Sequence, residues 1–268
     1  MDGDASFWGS IDAMRSALGA YLRFELPHWL YWGGLALFPL FYMVCLRLFG
    51  RHPETPEEAL AHKADEIERD PNPTGHLERY APGNWVTRQI DRLSVFTGAF
   101  VAYWTIIAVV VYFYEVVARY GFNAPTNWAH ESMFLMFGMQ YIIAGAYAYR
   151  FDAHVRVDLF YANASVRNRA ALDIVTSMFF FIFALGFTLT GWTFFSQAMD
   201  QRGEIYGIPF FWAQGYSNEV SFTEWAVAYY PVKFSLVLGG ILLLLQGISR
   251  LIKDIEIFVY AADGRDAH

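Results

Sequence analysis

Glu131 is the residue whose type and position come nearest to chemistry. It reads as the only acid close to the interior of an apolar stretch, just after Trp128 and His130. Ionisable groups inside a bilayer are costly, so they commonly serve a proton or cation path. Such a path needs further polar groups deeper in the same helix, and only Gln140 follows. A better fit places Glu131 in the first turn of a helix at the membrane interface, favoured by the helix dipole and paired with Arg119. A second group, His154, Arg156 and Asp158, alternates along a polar connection just after Asp152. A metal would need another histidine or cysteine close by, so anchoring through backbone and headgroup hydrogen bonds fits better. Arg167, Arg169 and Asp173 extend this charged collar, where surface ion pairs alone would contribute little.

Other chemistries find less support. A haem-bearing anchor needs paired histidines within the spans, whereas His28 and His130 stand at span ends and His154 lies in a connection. No nucleophile and base pair, phosphate-binding glycine loop or dinucleotide fingerprint is present, and we expect no catalytic activity. Cys45 is the single cysteine, which rules out an intramolecular disulfide and a cysteine-based zinc site. The net charge of -7 and the lack of a basic stripe argue against nucleic acid as a partner.

The elements that must position these residues are membrane spans. A bilayer core takes about 20 apolar residues of helix. Five stretches qualify: Trp29 to Phe49, Leu93 to Tyr114, Ser132 to Tyr149, Ile174 to Met199 and Phe234 to Ser249. The last is short, but Tyr229 to Pro231 extend it and Lys233 can snorkel to the headgroups. Pro39 inside the first predicts a kinked or tilted peripheral helix. The expected fold is an all-α integral membrane protein: a four-helix core of spans, one extra N-terminal transmembrane helix, and short amphipathic helices.

Small residues are spaced to let helices approach: Gly98 with Ala102, Gly138 with Gly145, and Gly240 with Gly247. The aromatic-rich stretch from Phe179 to Phe195 suits a wall facing lipid or another subunit. Phe7, Trp8, Ile11, Met14, Leu18, Tyr21 and Leu22 recur at helical spacing. They form either an interfacial amphipathic helix or a stripe packed on neighbouring helices. Arginine and lysine concentrate in the connections 50–92 and 150–169 and in the C-terminal segment, which orients those toward the cytoplasm. The N terminus is then periplasmic and the C terminus cytoplasmic. The expected division is an N-terminal region 1–84, a core 85–255 and a tail 256–268. Within the core, an external segment 203–228 rich in aromatics, including Trp225, is expected to lie on a membrane or protein surface.

Three local patterns, taken in order, carry a resemblance. They are Val117-Ala118-Arg119-Tyr120 leaving the first core span, Pro125 through Trp128 to Glu131 entering the second, and His154 to Asp158 between the second and third. In order, spacing and placement the stretch from about Trp85 to Ile255 resembles the small membrane subunit, DctQ type, of tripartite ATP-independent periplasmic (TRAP) transporters. The extra N-terminal span and the long external segment depart from the common pattern.

The resemblance implies a non-catalytic subunit of the bacterial inner membrane. Its expected partners are membrane lipids, a large elevator-type membrane subunit and a periplasmic substrate-binding protein. It implies no cofactor in this subunit, sodium being expected in the large one, and uptake of an organic acid, with 2-oxoacids as one candidate class. Arg119, Trp128, Glu131, His154, Arg156, Asp158, Arg169, Trp225 and Lys233 are then structural or interface residues rather than catalytic ones. The competing readings are a stand-alone small channel or carrier, and a quinone- or haem-binding anchor of a redox complex. The first would want several polar residues facing one another at mid-membrane.

Overall fold

The computed structural model describes residues 3–49, 83–151, 164–200 and 219–262. His154, Arg156, Asp158 and residues 203–218 of the external segment lie outside them, as do the arm after the first span and the last six residues. The described chain is all-α; its only β-type pairing is a single antiparallel bridge between Val220 and Ala228.

Seven α-helices are described. Helix α1 runs Gly3–Leu22, α2 His28–Phe49, α3 Trp85–Ala102, α4 Trp104–Val116, α5 Ala129–Arg150, α6 Val166–Asp200 and α7 Tyr230–Ala262. Only Tyr103 interrupts α3 and α4, and a π turn, Val117–Gly121, ends that long rod. Ser165 starts α6 in the manner of an N-cap, its hydroxyl accepting from the Asn168 amide at 3.4 Å. Pro231 falls in the first turn of α7, where its missing amide hydrogen removes no helical bond.

Among the described residues, four helical stretches are long and apolar enough to cross a membrane: His28–Leu48, Trp85–Gly121, Arg167–Ala198 and Tyr230–Val259. The last three exceed the spans expected from the sequence because their charged ends continue as helix. Helix α5, expected as a span over Ser132 to Tyr149, is not among the four. Its 22 residues would reach about 33 Å at 1.5 Å per residue, so length is no obstacle. Apolarity is what it lacks, and its place explains why. Packed among α3, α4 and α7, it buries Ser132, Met133, Leu135, Met136, Met139, Ile143 and Ala146 against protein.

Contacts fix the directions. Tyr147 of α5 lies against Gly98 of α3, and Gln140 of α5 bonds Thr105 of α4, so the two run antiparallel. Helix α7 runs antiparallel to α6, with Gly240 against Thr188 and Gly247 against Phe180. The four core elements therefore alternate up and down, and α2 adds a fifth at the edge. One end of the bundle carries Asp91 and Lys253, the other Trp128 and Trp225.

Close approach at α7 depends on two consecutive glycines facing opposite ways. A Cβ on Gly239 would sit 2.5 Å from Ile142 Cγ2 of α5, while Gly240 abuts Thr188 of α6. Gly98 and Gly247 serve as expected, but Ala102 is exposed and a Cβ on Gly138 would meet nothing within 4 Å. The outer face of α6 exposes Val175, Phe179, Ile182, Leu185, Leu189 and Trp192 at helical spacing, a wall that none of the described residues covers.

Helix α2 shows how its proline is accommodated. Pro39 cannot donate to the Leu35 carbonyl four residues earlier, and in a bilayer no water replaces that donor. Trp104 of α4 supplies it, its indole Nε1 donating to Leu35 O at 2.8 Å with both residues buried. Trp104→Phe should therefore cost about 1–3 kcal/mol by orphaning that carbonyl. In a Pro39→Ala background, where the restored backbone amide can serve the Leu35 carbonyl, the cost should shrink. A double-mutant cycle read by thermal unfolding checks this, and equal costs in both backgrounds would refute it.

Candidate functional site

The buried polar residues gather in two groups, one at each end of the bundle. On α3, Thr87, Asp91, Ser94, Gly98 and Val101 recur every three or four residues and form its buried face. Asp91 is the hub of the first group. Its carboxylate accepts from Lys253 Nζ at 2.7 Å, Ser249 Oγ at 3.0 Å and Gln246 Nε2 at 3.1 Å, all on α7, and pairs with Arg150 at the end of α5. Gln246 turns its other amide atom, Oε1, to Ser94 Oγ at 2.7 Å. One carboxylate thus ties three helices together at a site where only 10% of its side chain is exposed. Nearby, Arg169 is buried at the start of α6, its Nε donating to Ala164 O at 2.9 Å, and Arg167 lies 5.1 Å from the Phe258 ring of α7.

Glu115 organises the opposite end. It is 6% exposed and accepts from Arg119 Nε at 2.9 Å, from Arg119 Nη2, and from the Thr126 amide at 3.2 Å and hydroxyl. These bonds fold the π turn back onto the start of α5. Asn123, at φ 52°, makes the reversal, a left-handed conformation that asparagine tolerates well.

The expected pairing of Arg119 with Glu131 is thereby corrected. Glu115 lies four residues before Arg119 on the same helical rod, within direct reach. Glu131 instead accepts from the Thr223 hydroxyl in the short connection before α7. Nor is Glu131 the only acid near a span interior, since Asp91 and Glu115 are both buried.

Two further expectations change. Lys233 does not need the headgroups: its ammonium pairs with Glu219 and lies 5.5 Å from the Phe194 ring. Trp225 does not lie on an outer surface. Residues 219–229 form a tight hairpin, with Ser221 N bonded to Val227 O at 2.9 Å and Tyr229 N to Glu219 O at 3.0 Å, that turns Trp225 inward. Its ring meets His28 and Tyr31 edge-on, whereas Phe222 beside it is fully exposed.

The same end binds the N-terminal region through main-chain carbonyls. Trp225 Nε1 donates to Leu26 O at 2.8 Å, Trp128 Nε1 to Phe24 O at 2.9 Å, and Tyr114 OH to Leu22 O. Tyr31 of α2 donates in return to Ser132 O at 2.7 Å. Of the α1 stripe, Met14, Leu18 and Tyr21 are exposed and Leu22 is half-buried, so those three do not pack on neighbouring helices among the described residues. The side of α1 that meets the core is Arg15 and Gly19, and Gly19 comes so close that a Cβ would sit 3.1 Å from Phe122 O.

Between the two polar groups the core is lined by Val101, Trp104, Ala108, Met133, Met136, Met139, Ile143 and Leu242. Gln140 with Thr105 is the polar pair in that stretch, at 3.2 Å. This arrangement holds helices in fixed register; among the described residues it forms no chain of ionisable groups across the bundle. Asp91, Arg150 and Lys253 escaped the sequence reading as a site because charges beside apolar runs look like topology signals. The spacing of Thr87, Asp91, Ser94 and Gly98 was the available sign of a buried polar face.

No curated protein matches the chain significantly. A family model does: residues 108–217 match the DctQ component of tripartite ATP-independent periplasmic transporters. The match begins inside α4, takes in α5 and α6, and is narrower than the stretch from Trp85 to Ile255 over which the resemblance was read. Residues 108–217 are thus similar to the DctQ-type small component of the TRAP transporters, within a chain whose described residues are all-α and include helices long and apolar enough to cross a membrane.

Proposed function

We propose that this chain is a non-catalytic scaffold subunit that stabilises the large membrane component of a sodium-coupled TRAP transporter and helps dock the soluble component that delivers an organic acid. One observation carries this reading. Two buried carboxylates, Asp91 with Arg150 and Lys253, and Glu115 with Arg119, bind helix to helix or turn to helix at the bundle's ends, leaving the interior between them largely apolar. A carrier or channel would want such groups facing a path at mid-membrane. A scaffold wants rigidity, and buried bonding at both ends supplies it. The uncovered apolar wall of α6 suits lipid or a large polytopic partner.

In this reading the Asp91 end faces the cytoplasm. Arg88, Arg92, Arg150, Arg167, Arg169, Arg250 and Lys253 all lie there, in keeping with the retention of basic segments inside. The Trp225 end and the N-terminal region then face the periplasm of a bacterial inner membrane. The N-terminal region 1–84 acts as an added brace on the core 85–255.

Uptake by reconstituted complex tests the role. Arg119→Ala leaves the buried Glu115 carboxylate without its cation, so the amount of assembled complex should fall. Uptake should fall in proportion, while KM for the transported acid and the dependence on sodium stay those of wild type. A normally assembled variant with altered sodium dependence would argue for direct ion coupling and against the scaffold role.

A further inference from the structure

A cleft of about 610 Å³ opens between α1 and the turn that follows α4, lined by Arg15, Arg23 and Arg119 with Asp12, Tyr120 and Asn123. Three arginines here contrast with Glu131, Glu219 and Glu224, acids described elsewhere at this end, and with Lys233, already paired to Glu219. Arg15 donates from Nε to Gly121 O at 2.6 Å and from Nη2 to Tyr120 O at 3.1 Å; Arg23 donates from Nη2 to Asn123 O at 2.9 Å. Those acceptors are neutral carbonyls, so they orient the guanidinium groups without cancelling their charge. Arg119 uses Nε and Nη2 on Glu115. The Nη1 group of each arginine has no partner among the described residues. The anions that face them are Asp12 in the cleft and Glu115 behind it, with Glu25 and Glu224 on an adjoining cleft that Arg23 also lines.

We propose that this cleft receives a carboxylate side chain from the surface of the soluble substrate-delivering component, so that the N-terminal helix forms part of the docking face. The proposal rests on the accessory-subunit reading and on the orientation that turns this end outward. Charge complementarity selects the partner: a planar guanidinium matches a carboxylate, and arginine is the cation suited to that recognition. Openness selects a protein over a free organic anion. An exposed ion pair contributes little by itself, whereas exposed charges on a docking face speed encounter and fix orientation.

The test uses full-length complex in lipid nanodiscs, with the soluble component of the same transport system as the probe and association followed by biolayer interferometry at two salt concentrations. Arg15→Gln with Arg23→Gln should lower the on-rate about tenfold at low salt, flatten its salt dependence and change the off-rate little. Arg15→Lys with Arg23→Lys keeps the charge and should restore the on-rate, as steering by charge requires; the flattened salt dependence of the glutamine variant is what a merely structural role in holding α1 would not produce. Arg88→Gln with Arg92→Gln removes the same charge at the other end and should leave association unchanged. An unchanged on-rate and salt dependence in the glutamine variant would overturn the cleft alone. Displacement of the soluble component by millimolar acetate, lost in the glutamine variant, would make this a free-anion site and overturn the protein partner. No binding by the wild-type complex would overturn the docking reading itself, and the cleft with it.

Discussion

Asp91→Ala should lower the stability of the purified chain by about 3–5 kcal/mol, the expected cost of breaking a buried ion pair from one side. The reason is asymmetry. With the carboxylate gone, Arg150 and Lys253 remain as neighbouring cations, only 16% and 23% exposed at their side chains, and repel each other. Gln246 Nε2 and Ser249 Oγ lose an acceptor at the same time. Asp91→Asn keeps an acceptor without the charge and should fall between alanine and wild type. Lys253→Met should cost less than Asp91→Ala, since Arg150 still neutralises the carboxylate. Thermal unfolding in one detergent ranks all three. An Asp91→Ala variant that melts with wild type would mean that the cluster is solvated and does not hold α3, α5 and α7 together.

Gly239→Leu should be the most damaging change in the apolar part of the bundle. A Cβ there would lie 2.5 Å from Ile142 Cγ2 and 2.8 Å from the Ile142 carbonyl oxygen. Backbone cannot step aside as a flexible side chain can, so α5 and α7 must separate. Overpacking typically costs about 1–3 kcal/mol and sometimes more. The loss should be larger here because packing, rather than exclusion from water, holds helices together in lipid. Gly186→Ala is the control. Nothing lies within 4 Å of a Cβ at that position on α6, and alanine should stabilise the helix by about 0.5–1 kcal/mol through its higher helix propensity. Both variants can be read by thermal unfolding and by the yield of monodisperse protein. Equal behaviour of the two would show that the close approach at Gly239 is not what seats α5.

Much of the fold was legible because lipid imposes strong patterns. The apolar runs marked α2, the α3 and α4 rod, α6 and α7, and the small residues Gly98, Gly240 and Gly247 marked real close approaches. Helix α5 was the revealing case: its length read correctly, but its mixed composition belongs to a helix with one broad face buried against protein, while Phe134 and Tyr141 stay exposed. Gly138 had the right spacing and yet faces open space, since spacing names a face without saying what covers it.

The polar groups were less legible. Glu115 lies one residue beyond the expected end of its span, and Asp91 two residues before the start, so both read as interfacial charges. Their burial depends on partners far along the chain: Lys253 lies 162 residues from Asp91. Local pattern cannot reveal such a pairing. The α2 proline was read as a kink, whereas its consequence is a carbonyl that Trp104 satisfies from another helix. Trp225 and Trp128 were noticed as aromatics of an outer surface and of a motif. Their indole donors to Leu26 and Phe24 turn out to fasten the extra N-terminal region to the core.

The most direct measurement of the central claim is to tag this chain, extract it gently from its native membrane and identify stoichiometric partners by mass spectrometry. The scaffold account predicts one large polytopic membrane protein in equal amount, retained by wild type and lost in step with folding when Asp91 is replaced. Recovery from the native membrane without any such partner, or with haem-bearing soluble subunits, would contradict it.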